Sequence, residues 1–151
     1  MVEFKFEEYG LRVPERHEKG WGYEVWLANN ELYCGKILHI NSDKKCSIHF
    51  HRKKHETFYP LTGLASLEFW PFVDDSLLEN PESFERLSSD EREKFLLSKK
   101  ECFLSASHSK SFVIPPLLPH RFTGMDSFGS ELLEVSTQHF EEDSYRILRG
   151  D

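Results

Sequence analysis

The chain has 151 residues, of which 38% are hydrophobic and 14% aromatic, and it carries a net charge of −7 at pH 7. A chain of this length and composition can bury a sizeable core, which excludes an intrinsically disordered protein. Its acidic balance, without any block of clustered Lys and Arg, argues against a nucleic-acid partner. We expect a single domain over residues 1–151.

The sequence also bears on location and redox state. No stretch approaches the length of a membrane span, and residues 1–20 are charged rather than apolar at their centre, so neither a membrane segment nor a secretory signal is expected. We therefore expect a cytoplasmic protein without a membrane partner. Cys34, Cys46 and Cys102 are odd in number and irregularly spaced, which favours reduced thiols over a disulfide framework.

The predicted elements are mostly short strands. Residues 2–6 alternate like an edge strand, and Gly20–Leu27 and Leu32–Ile40 flank a hairpin signal at Asn29–Asn30. After a turn at residues 41–44 comes a strand containing two histidines. Further strands are predicted near Thr57–Leu61, Ala65–Phe72, Cys102–Ser105, Ser111–Ile114 and Glu131–Thr137. Short strands at this spacing predict an all-β, antiparallel sandwich or barrel.

One stretch between the strands has helical signals. Asn80 followed by Pro81 is typical of an N-cap with proline at the first helical position. Ser88 and Glu91 match a capping box and precede an apolar run. We predict one or two short helices within an insert at about residues 80–98.

The residues with the clearest chemistry lie between positions 49 and 63. His49 and His51 are two residues apart, so in an extended strand both side chains point to the same face. Glu56 follows them on the predicted returning strand, and Gly63 closes the run. Two imidazoles and a carboxylate form a set that binds a divalent transition metal.

This run resembles the first motif of the cupin superfamily, which has two histidines, a glutamate and a closing glycine at the same intervals. The segment from Pro115 to His120 resembles the second cupin motif, which supplies another histidine. Leu117 and Asp43 replace motif glycines, and Gly124 replaces an asparagine. These departures affect turns and outer contacts but leave the four candidate ligands in place.

The resemblance implies an antiparallel double-sheet jelly-roll (cupin) barrel with the helical insert between its two motifs. It also implies one divalent metal ion (Zn, Mn, Fe or Ni), held by His49, His51, Glu56 and His120. The insert either covers the barrel mouth or packs on the outside, and we favour the second arrangement. Three histidines and a carboxylate leave coordination positions open, as a catalytic or substrate-binding metal requires.

Two charged residues interrupt apolar strand sequence. Lys36 alternates in phase with Leu38, and Glu134 alternates in phase with Leu132. If these faces point outward, both charges are solvated. If they point into the barrel of a cupin, isolated burial is costly, so each charge should be paired with the other, with substrate or with the metal. Such groups are candidates for acid–base work.

Sequence segments outside the two motifs resemble a narrower group of cupins, the phosphomannose isomerase-type and D-lyxose isomerase-like sugar cupins. The resemblance is carried by Lys19–Glu24, Gly35–Ile40, Glu134–Thr137 and Asp143–Arg146. It implies a sugar or sugar phosphate as the small-molecule partner, and aldose–ketose isomerisation through an enediolate.

This resemblance also implies roles for three residues. Glu134 would act as the base, and Lys36 as the acid or as the partner of the developing charge. Arg146 would hold a phosphate or carboxylate with its bidentate fork. A surface salt bridge between Arg146 and Asp143 is an equally acceptable interpretation.

Two other functions fit the same sequence. A histidine and glutamate site with open positions also suits a metal-dependent oxygenase cupin, although that chemistry does not need a paired acid and base. A non-catalytic sugar-binding cupin is the third candidate. By analogy with cupins of this size, a homodimer is expected, to which Phe4 and Phe6 in the N-terminal strand would be suited.

Overall fold

The computed structural model describes residues 10–151, so the strand predicted at residues 2–6 lies outside the described residues. The strands within this range are β1 (Glu15–Lys19), β2 (Gly22–Asn29), β3 (Cys34–Ile40), β4 (Ile48–Phe50), β5 (Glu56–Thr62), β6 (Leu64–Phe69), β7 (Lys100–Ser105), β8 (Phe112–Ile114), β9 (His120–Gly124), β10 (Ser130–Ser136) and β11 (Tyr145–Leu148). Two α-helices, α1 (Asp75–Glu79) and α2 (Ser89–Leu97), lie between β6 and β7.

The strands form two antiparallel sheets. One sheet has the order β1-β2-β3-β10-β5-β8, and the other has the order β11-β4-β9-β6-β7. Buried residues alternate with more accessible ones along β3, β9 and β10, as expected when one sheet face lines a core and the other faces outward. The predicted all-β double-sheet jelly roll is confirmed.

Strands β1 and β11 are not predicted from the sequence. β1 has no buried residue, so its polar sequence lacks the apolar alternation that identifies a strand. β11 is four residues long and has only Ile147 buried, with the partly buried Tyr145 in phase with it, which is too short an alternation to identify a strand. Both strands are held by pairing with a neighbour, β1 with β2 and β11 with β4.

The insert contains the predicted helix around Ser88 and one unpredicted helix. Ser88 and Glu91 form both halves of the capping box at the start of α2. Pro81 begins a 3₁₀ helix that runs to Arg86. The unpredicted helix is α1, which precedes residue 80 and begins after Asp74, whose side chain accepts a hydrogen bond from the Ser76 N–H.

Two hydrophobic cores lie on opposite sides of the five-stranded sheet. The first fills the space between the sheets and includes Leu38, Phe58, Leu67, Phe122 and Leu132. The second joins the insert to the outer sheet face through Ile48, Phe50, Trp70, Leu77, Phe84, Phe95 and Ile147. The insert therefore packs outside the barrel, as favoured from the sequence.

Strand β4 separates these environments. Ile48 and Phe50 point into the second core, so His49 between them points to the space between the sheets.

The helices and the cysteines bear on the expected absence of a membrane span and on the expected reduced thiols. None of the helices in residues 10–151 combines the length and hydropathy needed to cross a bilayer. Cys34, Cys46 and Cys102 are all free thiols.

Candidate metal centre

Three predicted metal ligands meet between the sheets. One potential ligand atom from each of His49, His51 and His120 lies within 4.8 Å of the others. His49 and His120 are direct partners across the β4–β9 pair, so both side chains leave the same face. His51 follows β4 by two residues and returns to that face. This grouping is possible because two strands and one loop converge at the same point.

Backbone carbonyl groups fix the orientation of all three imidazole rings. Nδ1 lies 3.0 Å from the Ser47 carbonyl in His49, 2.7 Å from the Asp143 carbonyl in His51, and 3.0 Å from the Leu118 carbonyl in His120. Because a carbonyl oxygen only accepts, each Nδ1 must carry the proton, and each Nε2 keeps its lone pair. Rings held in this way are typical of metal-binding histidines.

Burial keeps these rings neutral. It lowers the pKa of His49 to about 3, with a further contribution from neighbouring His120. Burial also lowers the pKa of His51 to about 4, against the opposing attraction of Glu56. The pKa of His120 is lowered, again mainly by burial. Neutral imidazole is the form that binds a metal, so the site needs no deprotonation at neutral pH.

Glu56, the fourth predicted ligand, stands beside the histidines. Its Oε1 is 3.7 Å from Nε2 of His51, and its Oε2 is 3.5 Å from Nε2 of His120. Among the described residues, Oε2 of Glu56 and Nε2 of His120 are buried without a hydrogen-bond partner. Unsatisfied buried polar atoms are costly, and a divalent cation would satisfy both. The donors present therefore fit a metal ion.

Lys54 was not identified from the sequence as part of the site. Its side chain is 3% exposed, and Nζ lies 2.9 Å from Glu56 Oε1 and in close contact with Glu134 Oε1. These carboxylates raise the pKa of Lys54 against the effect of burial. Although burial opposes it, Lys54 is also the main group that lowers the pKa of Glu56. One buried ammonium thus neutralises charge between two carboxylates.

The two charges that interrupt the apolar strands both face inward. Lys36 and Glu134 are 2% and 3% exposed, and their Cα atoms are partners across β3 and β10. The two side chains are not paired with each other, however, which was one of the arrangements expected from the sequence. Lys36 Nζ lies 3.4 Å from Glu24 Oε2, whereas Glu134 contacts Lys54 and accepts a hydrogen bond from the Ser136 hydroxyl.

Asp143 organises the loop that follows β4. Its carboxylate accepts hydrogen bonds from the backbone N–H groups of residues 52, 53 and 54 at 3.0–3.1 Å. Its carbonyl oxygen is the group that orients His51. Asp143 thereby holds both a candidate ligand and Lys54. Asp143 lies about 90 residues from this loop in the sequence, so no local pattern predicts its role.

The histidines open into a cavity of about 490 Å³, which Lys36, Glu134 and Arg146 also line. Arg146 is the partner of His49 across β11 and β4, so both side chains leave the same sheet face. Within residues 10–151, no ion pair joins Arg146 to Asp143, the alternative considered from the sequence. The structure thus brings every predicted site residue to one cavity.

Comparisons with known proteins agree with this architecture. No protein-family model and no curated protein matches the sequence. Among solved structures, the capsular polysaccharide assembling protein CapF from Staphylococcus aureus matches with a TM-score of 0.68 at 13% identity, over 89% of this chain and 34% of CapF. KdgF from Halomonas sp. matches with a TM-score of 0.58 at 11% identity, over 94% of this chain and 97% of KdgF.

A variant of oxalate decarboxylase from Bacillus subtilis matches with a TM-score of 0.62 at 13% identity, over 89% of this chain and 30% of that protein. The chain thus spans about a third of the length of CapF and of oxalate decarboxylase. All three proteins are cupins, and likeness at this level of identity shows that the present chain has the cupin fold.

Proposed function

We propose that this protein is a metal-dependent cupin that interconverts an aldose and a ketose, acting on a sugar or sugar phosphate. The observation that carries the proposal is the burial of Lys36 and Glu134 in the same cavity as the three histidines. Isomerisation needs an acid–base pair beside the metal, whereas oxygenase chemistry and simple sugar binding do not. The likeness to a capsular polysaccharide assembling protein supports a carbohydrate substrate.

The metal would be held by His49, His51 and His120, with Glu56 as the carboxylate ligand. A divalent cation bound there supplies Lewis acidity toward the carbonyl and adjacent hydroxyl oxygens of the sugar. Keeping the rings neutral and correctly oriented is the contribution of burial and of the three backbone carbonyls. Phe58 and Phe122 line the cavity beside these ligands and reduce the water around the reacting atoms.

Glu134 is the base in this proposal. Its Oε1 is occupied by Lys54 and by the Ser136 hydroxyl, while no described residue makes a hydrogen bond to its Oε2. That oxygen can take the proton from the carbon next to the carbonyl and return it to the neighbouring carbon. Lys36 lies one strand away and provides positive charge near the developing negative charge on the substrate oxygens.

The first test follows carbon-bound protons. Metal-loaded protein is incubated in D₂O with D-mannose, D-lyxose, D-glucuronate and D-mannose 6-phosphate, and exchange at C2 is measured by NMR. We expect exchange and ketose formation with at least one of these sugars. Glu134→Gln should lower both by at least about 100-fold, the lower range for a general base, while the bound metal is retained.

Glu141→Gln is the matched control, because Glu141 lines the same cavity but pairs with His139. Its exchange rate should equal that of the wild type. Absence of exchange with every sugar in wild-type protein would refute the isomerase proposal, and full activity in Glu134→Gln would refute the choice of base.

Arg146 is proposed to bind an anionic group on the sugar. It neighbours His49 across the sheet, lines the cavity, and makes no ion pair with the other residues in 10–151. A free guanidinium can form a bidentate pair with a carboxylate or phosphate. The bound anion would therefore lie close to the metal ligands.

Arg146→Met should raise KM for D-glucuronate or D-mannose 6-phosphate by at least about 10-fold, because both charge-assisted hydrogen bonds of the bidentate pair are lost. KM for neutral sugars should change little. Arg86→Met provides the control, because Arg86 is exposed on the insert, outside the cavity. Equal changes for neutral and anionic sugars would contradict the assigned role.

A further inference from the structure

A second carboxylate faces the cavity on the same side of the six-stranded sheet. Lys36 on β3 is the Cα partner of Trp26 on one side and of Glu134 on the other. Glu24 lies two residues before Trp26 on β2, so its side chain leaves the same face. The side chains of Glu24 and Glu134 therefore leave the same sheet face as Lys36, one on each neighbouring strand, and Glu24 is the one in ionic contact with its ammonium.

The contacts of Glu24 are confined to one of its oxygen atoms. Oε2 accepts a hydrogen bond from the Trp26 indole N–H at 2.7 Å and lies 3.4 Å from Lys36 Nζ. Lys19 Nζ approaches the same atom at 3.8 Å. Although burial opposes ionisation, Lys36 and the Trp26 bond lower the pKa of Glu24, which keeps it charged at neutral pH.

The other oxygen, Oε1, receives no hydrogen bond from the residues that the structure describes. It is not among the buried atoms that lack partners, and Glu24 lines the cavity. Oε1 is thus a fixed, ionised acceptor that is open to a ligand. The indole and the ammonium also restrain the carboxylate, so little ordering remains to be done when a ligand binds.

Aldose–ketose isomerisation requires two different protons to move. One is bound to carbon and passes between C2 and C1. The other is a hydroxyl proton that must pass from O2 to O1. Glu134, whose Oε1 is occupied by Lys54 and Ser136, accounts for the first transfer, and nothing in the proposed function accounts for the second.

We propose that Glu24 is the catalytic residue that carries the hydroxyl proton between the two sugar oxygens. This inference rests on the proposed isomerase function. Glu134 removes the C2 proton, and the electron pair of that bond forms the C1–C2 double bond while the carbonyl pair moves to O1. Glu24 Oε1 then takes the O2 proton and delivers it to O1.

The reaction is completed when Glu134 returns its proton to C1. The double-bond pair forms the new C1–H bond, and a lone pair on O2 forms the new carbonyl. Both carboxylates end in their starting states, so no proton or electron is gained or lost. Lys36 remains protonated throughout and holds Glu24 in place.

If Glu24 carries the hydroxyl proton, its substitution should lower ketose formation without lowering deuterium exchange at C2. A purely structural role would lower both rates together. In Glu24→Gln the amide oxygen can still accept the Trp26 N–H, but the side chain can no longer carry a proton. The same sugars in D₂O should still exchange deuterium into the C2 position of recovered aldose at a rate within about threefold of wild type. Ketose formation should fall by at least about 100-fold.

The control variants distinguish a failure of the Glu24 assignment from a failure of the isomerase proposal. Glu24→Asp should restore part of the ketose formation, and Glu141→Gln should match wild type in both measurements. If Glu24→Gln forms ketose at the wild-type rate, or loses C2 exchange and conversion equally while its melting temperature and metal content are unchanged, the role of Glu24 is wrong and the isomerase proposal stands. Wild-type protein that exchanges no sugar overturns both.

Discussion

Purified His51→Ala and His120→Ala proteins should contain little divalent metal where the wild type contains close to one ion per chain. Structural zinc sites bind with about 10–16 kcal/mol, or roughly 2.5–4 kcal/mol for each of four ligands. Losing one imidazole should therefore weaken metal binding by about 10²–10³-fold. Competition with a chromophoric chelator measures the affinity, and elemental analysis measures the content.

His55→Ala is the matched control for these variants. His55 lies in the same segment, one residue before Glu56, but its side chain is exposed and directed away from the cavity. It should bind metal like the wild type. Wild-type protein that takes up no Zn²⁺, Mn²⁺, Fe²⁺ or Ni²⁺ at neutral pH would refute the metal centre.

Lys54→Met should be the most destabilising single substitution in the cavity. It leaves Glu56 and Glu134 buried side by side without the ammonium that separates them. Breaking a buried ion pair by removing one partner costs about 3–5 kcal/mol, because the remaining charge is uncompensated. Urea unfolding of the metal-free protein gives the free energy of unfolding directly.

Two further variants make this result specific to charge. Lys53→Met alters the neighbouring, exposed lysine and should change the free energy of unfolding by less than about 0.5 kcal/mol. The double variant Lys54→Met/Glu134→Gln should recover part of the lost stability, since only one buried carboxylate remains charged. If the double variant is less stable than Lys54→Met alone, packing rather than electrostatics dominates at this position.

A site residue could be predicted from the sequence where its role shows in the pattern of neighbouring positions along the chain. His49 and His51 follow from the two-residue period of a strand, a purely local property. Lys36 and Glu134 were identified because each interrupts an apolar alternation. His120 has no such local signal, and only its resemblance to a second cupin motif connected it to the other ligands.

Lys54 and Asp143 show where local reasoning stops. Lys54 sits in a short connection between β4 and β5, where no periodicity indicates which way a side chain points. Its burial depends on Glu134, 80 residues away in sequence. Asp143 depends in the same way on the loop after β4. Glu24 lies within Lys19–Glu24, one of the segments that resemble the sugar cupins, but that resemblance does not show which way its side chain points. Its inward direction follows only from the β2–β3 register.

The two-sided burial of β4 has a thermodynamic consequence. His49 is one residue from Ile48 and Phe50, which anchor the helical insert on the opposite sheet face. A metal ion on one side and the insert on the other therefore restrain the same three residues, so their free energies are linked. Any change that loosens the insert, even on its solvent side, should weaken metal affinity, and metal should protect the amide hydrogens of α2 against exchange with solvent.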